Sequence, residues 1–496
     1  MRRVRHNSWA GLLILVLAAV PAKAQDQQSS GQNQDQQGQQ DQNQSQGATP
    51  IPAYHSPLAS AADNGGSEPA AELPAPDTRS LAGAQILTVA GPETVHSYWQ
   101  PHIDVSGTGD SNPQESTGGN SWGTWVSISG GVDLHRTATD SDLTLTYEGG
   151  GTFSSGNSVN NGIVQQLGVT ERIALRRWTL SFFDQVSYLP EAGFGYGGLG
   201  GTALSTGSAG LGSTFTNGQT ILTGQGQSVT NSFVTEADFA LTPRASFTFV
   251  GGYSILRYFD SGLLNSGDAT FRAGYNYLWS RKDTLAAFYT YSAFRYTNSS
   301  QSIDEHTIEA SYARRVTGRL SFQVAAGPQV VLFHEPPTSG SGSGGVTTPN
   351  SSTQLYWALD TSTQYRWERT MLGAAYDHGV TSGSGVLAGS VTDTASGSAT
   401  RQMSRTFSSG ITGGYSRNKG LEATTGVPTS QIYDYWFVGA NFSRPWGRSL
   451  GLTFSYQLQY QNSNARFCIG ETTCGTSVIR HLISVGLGWH ERPIVF

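Results

Sequence analysis

Hydrophobic and polar residues alternate with a period of two along most of the chain beyond about residue 98. The segment 449–461 shows the pattern well, with Leu450, Leu452, Phe454, Tyr456, Leu458 and Tyr460 separated by small or polar residues. Successive side chains of a β-strand point to opposite faces, so this alternation predicts strands with one apolar and one polar face. The segments 268–279 and 319–326 repeat it.

Short polar turns separate these candidate strands in pairs. They lie near residues 140, 177, 243, 282, 318, 369, 405 and 446, at intervals of 36 to 66 residues. Each interval holds two strands of about 12 to 14 residues, whereas strands of soluble sandwiches usually have ~5 to 6. The second connection in each interval is often long, as in 191–228, which contains 12 glycines in 38 residues. Short turns at one end and long loops at the other are typical of an outer-membrane barrel.

The number of strands can be counted from the pattern. Seventeen candidates lie near 123–136, 141–153, 161–175, 178–190, 229–241, 245–258, 268–280, 284–297, 302–315, 319–333, 353–367, 371–382, 391–403, 407–418, 431–443, 449–462 and 477–489. Bacterial barrels prefer an even number, so we assign residues 98–108 as one more strand despite Pro101. The predicted fold class is all-β, a transmembrane antiparallel up-and-down β-barrel of about 18 strands with a disordered N-terminal segment.

The chain before the barrel divides into two parts. Residues 1–24 combine Arg2, Arg3 and Arg5 with an apolar run and a small-x-small site at Ala22 to Ala24, which predicts a secretory signal peptide. Residues 25–96 are rich in Gln, Pro and Ala and are expected to be a disordered periplasmic segment, either a plain spacer or a tether to a partner. Residues 97–496 form the predicted outer-membrane β-barrel.

The composition argues against an ordinary cytosolic enzyme. Charged residues make up 13% of the chain, about half the ~25% of soluble domains. The 29 Lys and Arg against 35 Asp and Glu give a net charge of -6, so no basic face for nucleic acid is expected. Beyond residue 24 no apolar run approaches the ~18 residues of a membrane-spanning helix.

The chain has two cysteines, Cys468 and Cys474. In an exported protein a pair closing so short a loop is most simply a local disulfide. The rival interpretation, half of a metal site, lacks a neighbouring His or Cys ligand.

The C-terminal residues carry a resemblance to a known class. Ser484-Val485-Gly486-Leu487-Gly488-Trp489 matches the first six positions of a late-strand assembly signal, and Phe496 is a terminal aromatic residue. Glu491 departs from the pattern, which leaves open whether the signal ends at Trp489 or is read from residues 494–496. Over about residues 97–496 the chain resembles bacterial outer-membrane β-barrel proteins of the porin type.

The resemblance implies where the protein lies and what it contacts. We expect the outer membrane of a Gram-negative bacterium, with outer-membrane lipid and the barrel-assembly machinery as partners and no nucleic acid. A homo-oligomer follows only by analogy, since porin-like barrels of 16 to 18 strands are often trimers. Tryptophan and tyrosine near strand ends agree with the aromatic girdles of such barrels; these are Trp122, Trp125, Trp178, Tyr188, Trp279, Trp367, Tyr433, Trp436, Trp446, Tyr460 and Trp489.

No motif predicts catalysis, a metal site or a cofactor. Residues 193–198 formally match G-x-G-x-x-G, but no helix-forming sequence follows to bind a pyrophosphate, so a flexible loop is expected that could fold inward or stay outside. Asp377 and His378 are the nearest approach to an acid and histidine pair. Adjacent residues on a strand point to opposite faces, so the two cannot cooperate directly.

The polar faces of the strands supply candidate pore-lining residues. They are Arg272, Arg319, Arg366, Arg480, Glu148, Glu236, Asp238, Asp268 and Asp360. The predicted function is an outer-membrane channel for passive passage of small hydrophilic solutes or for export of a polymer such as polysaccharide. The alternative is a non-conducting structural or surface-interaction barrel whose long extracellular loops are the functional part.

Overall fold

A computed structural model gives the fold of the protein. It describes residues 85–86, 97–113, 122–154, 161–189, 208–209, 221, 227–259, 263–297, 301–335, 350–383, 385–404, 406–421, 431–447, 449–464 and 477–496. The predicted signal peptide, the motif at 193–198 and both cysteines of the expected disulfide lie outside these residues.

Eighteen antiparallel strands form the barrel, as the alternation predicts. They are β1 (Tyr98–Asp110), β2 (Gly123–Thr137), β3 (Ser141–Ser154), β4 (Gly162–Ala174), β5 (Trp178–Leu189), β6 (Ser228–Thr242), β7 (Ala245–Tyr258), β8 (Ser266–Leu278), β9 (Asp283–Tyr296), β10 (Ser302–Arg315), β11 (Leu320–Glu335), β12 (Asn350–Trp367), β13 (Thr370–Thr381), β14 (Ser390–Ser404), β15 (Phe407–Gly420), β16 (Ile432–Trp446), β17 (Leu450–Ser463) and β18 (Ser477–His490).

Each strand pairs with the next in the chain, and β1 closes the ring against β18. The closing ladder runs from His102 opposite His490 to Asp110 opposite Leu482. The even strand number is therefore confirmed, and Pro101 is accommodated at the edge of this ladder. Beyond a break at 491–493, Ile494–Val495 resumes pairing with the start of β1. Among the described residues outside the barrel, Gln85–Ile86 forms a two-residue ladder with Ser208–Ala209.

The two faces of the wall differ in the way the pattern predicts. On β8, Phe271, Tyr275 and Tyr277 are exposed on the outer face, whereas Thr270 and Asn276 are buried on the lumen face. Cross-strand pairing carries the same division around the ring, because directly paired residues share a face. Closure of the barrel pairs the backbone hydrogen-bonding groups of neighbouring strands without water, as a lipid bilayer requires. The apolar outer face can then contact lipid.

Most of the predicted girdle residues lie on the outer face. Trp279 and Trp446 are among the most exposed, at 67% and 69%. Two assignments are wrong, since Trp125 and Tyr433 are 4% and 1% exposed and lie on the lumen face, by pairing with Thr108 and Asn418. A large aromatic residue near a strand end is compatible with either face, and only the register separates them.

The two ends of the barrel also differ. The first and last described residues of the barrel lie at the short-turn end, where Phe496 N–H donates to the carbonyl of Ser97 over 3.1 Å. The opposite end carries the long connections, including residues 382–389 between β13 and β14. Among the described residues no helix is long and apolar enough to cross a membrane.

Candidate functional site: the lumen and its apolar bridge

The lumen face carries far more acidic than basic side chains. Its described strand positions include twelve carboxylates and five guanidinium groups: Asp104, Asp110, Asp133, Asp142, Glu148, Glu236, Asp238, Asp268, Glu305, Glu309, Asp360 and Asp377 against Arg172, Arg272, Arg315, Arg366 and Arg480. The net charge of -6 of the whole chain is therefore concentrated inside the barrel.

The predicted pore-lining residues fall into three groups. Arg272, Arg480, Glu236 and Asp268 are lumen-facing and buried. Arg366, Glu148, Asp238 and Asp360 are lumen-facing and partly buried. Arg319 lies outside the strands, in the exposed turn between β10 and β11, because β11 begins one residue later than the pattern suggests. That all these residues line a conducting path stays a prediction.

One buried ion pair fastens the closing strands. The Nε atom of Arg480 on β18 donates to Oδ2 of Asp110 on β1 over 2.6 Å, and the two side chains are 4% and 0% exposed. The other oxygen of Asp110 accepts from the backbone N–H of Asn112 over 2.9 Å. A buried carboxylate with both charge and hydrogen-bond partners is stable where it lies, so this pair holds β1 against β18 near the long-loop end.

The connection 382–389 enters the lumen at the long-loop end. Leu387 belongs to a buried cluster with the lumen-facing Tyr433, Tyr435 and Phe437 of β16. Val386 packs against the same cluster and also against Leu256, Tyr258 and Leu263 on and after β7. Strands β7 and β16 are nine apart in a ring of 18, so these contacts join opposite walls. We call Val386, Leu387 and the side chains that they touch on β7 and β16 the apolar bridge.

Hydrogen bonds and close contacts hold the bridge in place. The carbonyl of Gly385 accepts from Leu264 N–H over 2.7 Å, and that of Ser382 accepts from the Tyr296 hydroxyl over 3.0 Å. Gly385 has a φ of 78°, and a Cβ there would lie 2.2 Å from the ring of Tyr258. Only glycine allows this backbone conformation and this approach together. The loop therefore has a defined path across the lumen.

The long glycine-rich connection between β5 and β6 also reaches this point. Ile221 is its one described residue apart from 208–209 and 227, and it is fully buried in the same cluster as Leu387 and Tyr435. The sequence left open whether this connection folds inward, and at Ile221 it does. The connection 382–389 was not identified as a constriction from the sequence.

A second apolar cluster closes the half of the mouth on which the bridge is rooted. Its buried members are Phe294, Tyr296, Ile303, Val331, Phe333 and Val380, from β9, β10, β11 and β13. Directly below it on β10, two residues from Ile303, lies Glu305. The polar lumen thus begins immediately under an apolar cover.

Below this cover, four carboxylates share one part of the lumen. They are Glu305 and Glu309 on β10, Asp360 on β12 and Asp377, which is directly opposite Asp360 on β13. We call these four the acidic wall. Arg272 on β8 interacts electrostatically with Glu309, Asp360 and Glu305, in that order. Its Nε donates to the Thr290 hydroxyl over 2.9 Å, and its guanidinium lies 4.5 Å from the centre of the Phe288 ring.

The acid and histidine pair considered in the sequence is divided between the two faces. Asp377 faces the lumen, while His378 faces outward and its Nδ1 lies 2.6 Å from Oδ1 of Asp393 on β14. The ring of Trp357 stacks on His378 at 3.9 Å. Tyr376 is the next outer-face residue on β13, and no serine or cysteine lies beside His378 on that face of the strand. Among the described residues no group of three or more His, Cys, Asp or Glu could hold a metal ion.

The outer face of the barrel indicates which environment surrounds the protein. Large apolar side chains such as Leu355, Ile308 and Ile411 are 73%, 62% and 58% exposed on it. A continuous exposed apolar wall of this kind is stable in a bilayer and unstable in water. The protein is an outer-membrane β-barrel.

Comparison with solved structures finds barrels of similar extent. OccAB3 of Acinetobacter baumannii is 9% identical, with a TM-score of 0.39 over 80% of this chain and 99% of that one. OpdL of Pseudomonas aeruginosa is 10% identical, with a TM-score of 0.39 over 79% and 98%. The outer membrane protein opdK of Pseudomonas aeruginosa is 8% identical, with a TM-score of 0.39 over 80% and 99%. No family model and no curated protein matches the chain.

Proposed function

We propose that the protein is a passive channel for small hydrophilic solutes. The observation that carries this proposal is the polar and charged lumen face described above, which continues around the ring below the bridge. In a barrel of about 18 strands side chains no longer fill the interior, so a polar lining encloses water.

The bridge sets the size of what passes. Because Val386 and Leu387 join β7 to β16, solutes have to pass beside them rather than along the axis of the barrel. The half of the mouth toward β9, β10 and β11 is covered by the second apolar cluster. Among the described residues, the lumen face of β2 and β4 has small residues at mid-strand, such as Ser129, Gly131 and Gly168, which leave room for a solute below the bridge. A divided mouth favours small solutes over a polymer.

The same bridge is the observation that favours the alternative, a non-conducting barrel whose long loops act at the cell surface. The two functions differ in planar lipid bilayers. We expect the purified full-length protein to give discrete conductance steps, and the double variant Val386→Ala/Leu387→Ala to give larger ones. Folding of each protein is checked by its heat-dependent mobility on electrophoresis. If neither folded protein gives conductance steps, the channel function is overturned and the surface function remains.

A further inference from the structure

The acidic wall is a site for small organic cations. We propose that Glu305, Glu309 and Asp360 bind solutes carrying primary ammonium groups and give the channel a preference for cations. The transport part of this inference rests on the proposed channel function, whereas the binding part stands on the geometry of the wall alone.

The first argument is the local balance of charge. Glu305, Glu309 and Asp360 each interact electrostatically with the same guanidinium, that of Arg272. Asp360 is additionally repelled by Asp377 and by Glu309. One guanidinium thus serves three carboxyl groups, two of which, Glu305 and Glu309, are buried. Such a place is stabilised by a second cation.

The second argument is independent of charge and concerns hydrogen bonds. Gln329 on β11 donates its amide N–H to Oε1 of Glu305 over 2.6 Å, and its own Oε1 has no hydrogen-bond partner among the described residues although the side chain is 3% exposed. The hydroxyl of Ser311, 3% exposed, lies two residues from Glu309 on the same face and also has no partner in the described part of the chain.

Two further buried oxygens continue this set toward β12. Gln323 and Ser362 are directly opposite one another, and Oε1 of Gln323 and Oγ of Ser362 have no hydrogen-bond partner within the described ranges. Ser362 lies two residues from Asp360 on the same face. Buried polar groups without partners destabilise the fold, so a ligand that supplies partners is favoured.

The geometry indicates the kind of ligand. The unsatisfied atoms at Gln323 and Gln329 are carbonyl oxygens, which only accept hydrogen bonds, and carboxylates also only accept when ionised. A ligand that satisfies them has to be rich in donors and positively charged. A primary ammonium group has three donors and no acceptor, and it is compact enough for a side-chain cage. The apolar cover above Glu305 and the ring of Phe288 suit a ligand with a short hydrocarbon chain between its charges.

The test compares two triple variants of equal charge change. Glu305→Gln/Glu309→Gln/Asp360→Asn removes three carboxylates from the lumen, and Glu171→Gln/Asp304→Asn/Asp434→Asn removes three from the outer face. Reversal potentials in a KCl gradient across a planar bilayer give the ratio of K⁺ to Cl⁻ permeability. We expect the wild type to prefer cations. In the lumen variant the permeability ratio should fall by about threefold, the factor equivalent to one kT of lumen potential. In the outer-face variant the ratio should not change.

Binding is measured separately with 1,4-diaminobutane. Calorimetric titration of the folded wild type in detergent is expected to show saturable binding that the lumen variant loses and the outer-face variant keeps. If the wild-type protein conducts but shows neither cation preference nor diamine binding, this inference is overturned and the channel function stays intact. Wild type that binds diamine without conducting would overturn the channel function and keep the site. If the lumen variant does not fold, Glu309→Gln alone has to weaken diamine binding, and unchanged binding contradicts the site.

Discussion

The upper and lower parts of the lumen have opposite chemistry on the same strands. On β10, Ile303 packs into an apolar cluster at the long-loop end, while Glu305 and Glu309 lie just below it in the acidic wall. Around β9 to β13 the upper part is apolar and closely packed, and the connection 382–389 lies against it. The lower part is rich in carboxylates and has buried oxygens without partners. If the proposed channel function holds, passage and selection are separated along the axis: the bridge would limit size, and the acidic wall below it would select charge.

The largest expected effect comes from removing the bridge. Val386→Ala/Leu387→Ala takes away the contacts between β7 and β16, and the buried leucine alone costs about 2 to 5 kcal/mol of packing. Single-channel conductance should rise while the preference for cations stays, because the acidic wall is unchanged. Leu355→Ala is the matched control, since Leu355 is 73% exposed on the outer face. Equal conductance in all three proteins would show that the bridge does not limit passage.

A smaller effect is expected from one added methyl group. Gly385→Ala introduces strain at a φ of 78° and a Cβ 2.2 Å from the ring of Tyr258, which should displace the loop and raise conductance. Gly447 offers a matched control, because it has a φ of 80° in a short turn but nothing within 4 Å of an added Cβ. Both variants bear similar backbone strain, about 1 to 3 kcal/mol. A rise in conductance in both would mean that strain, rather than contact with Tyr258, is responsible.

The lower part can be altered in the opposite direction. Arg272→Gln removes the guanidinium that Glu305, Glu309 and Asp360 share, so the lumen becomes more negative. Reversal potentials should show a stronger preference for cations than in the wild type, with little change in conductance at high salt, where screening is strong. A weaker preference would contradict the assignment of the acidic wall as the selective region.

The smallest effect is expected from a substitution on the outer face of the barrel. His378→Gln breaks the contact with Asp393 on the outer face, while its neighbour Asp377 stays in the lumen. The loss of one hydrogen bond costs about 0.5 to 1.5 kcal/mol and the contact lies on the face away from the lumen, so we expect a small loss of stability in urea and unchanged permeability ratios. A changed permeability ratio would show that a substitution on the outer face of β13 alters the lumen, contrary to the assignment of charge selection to the acidic wall.

Much of the fold follows from the sequence because a membrane wall enforces strict alternation. Segments such as β17 and β8 have one lipid-facing side, and the pattern gives their faces and their bounds to within a few residues. The even strand number also identifies β1 in spite of Pro101. Where both faces are polar, the pattern is ambiguous: on β10 Asp304 and His306 alternate with Glu305 and Thr307, so Glu305 and Glu309 were not identified as lumen-facing.

The functional site depends on contacts that alternation does not encode. Val386 and Leu387 of the bridge belong to the connection 382–389, whose sequence predicts only an ordinary link between two strands. Its role comes from Gly385 lying against Tyr258 and Leu387 against Tyr435, and these residues are far apart in the chain. The glycines of this connection are a weak signal, since glycine is frequent throughout the sequence. Arg319 is an error of a different kind. It lies in a turn, one position before β11, but the alternation assigned it to the lumen face of that strand.

The most direct test of the account is the reversal potential of the wild-type protein in a planar bilayer separating two KCl concentrations. The account predicts discrete conductance steps and a potential of the sign that K⁺ selectivity produces, because the lumen has twelve described carboxylates against five guanidinium groups. A potential of the opposite sign, or a bilayer that stays silent with folded protein inserted, would contradict it.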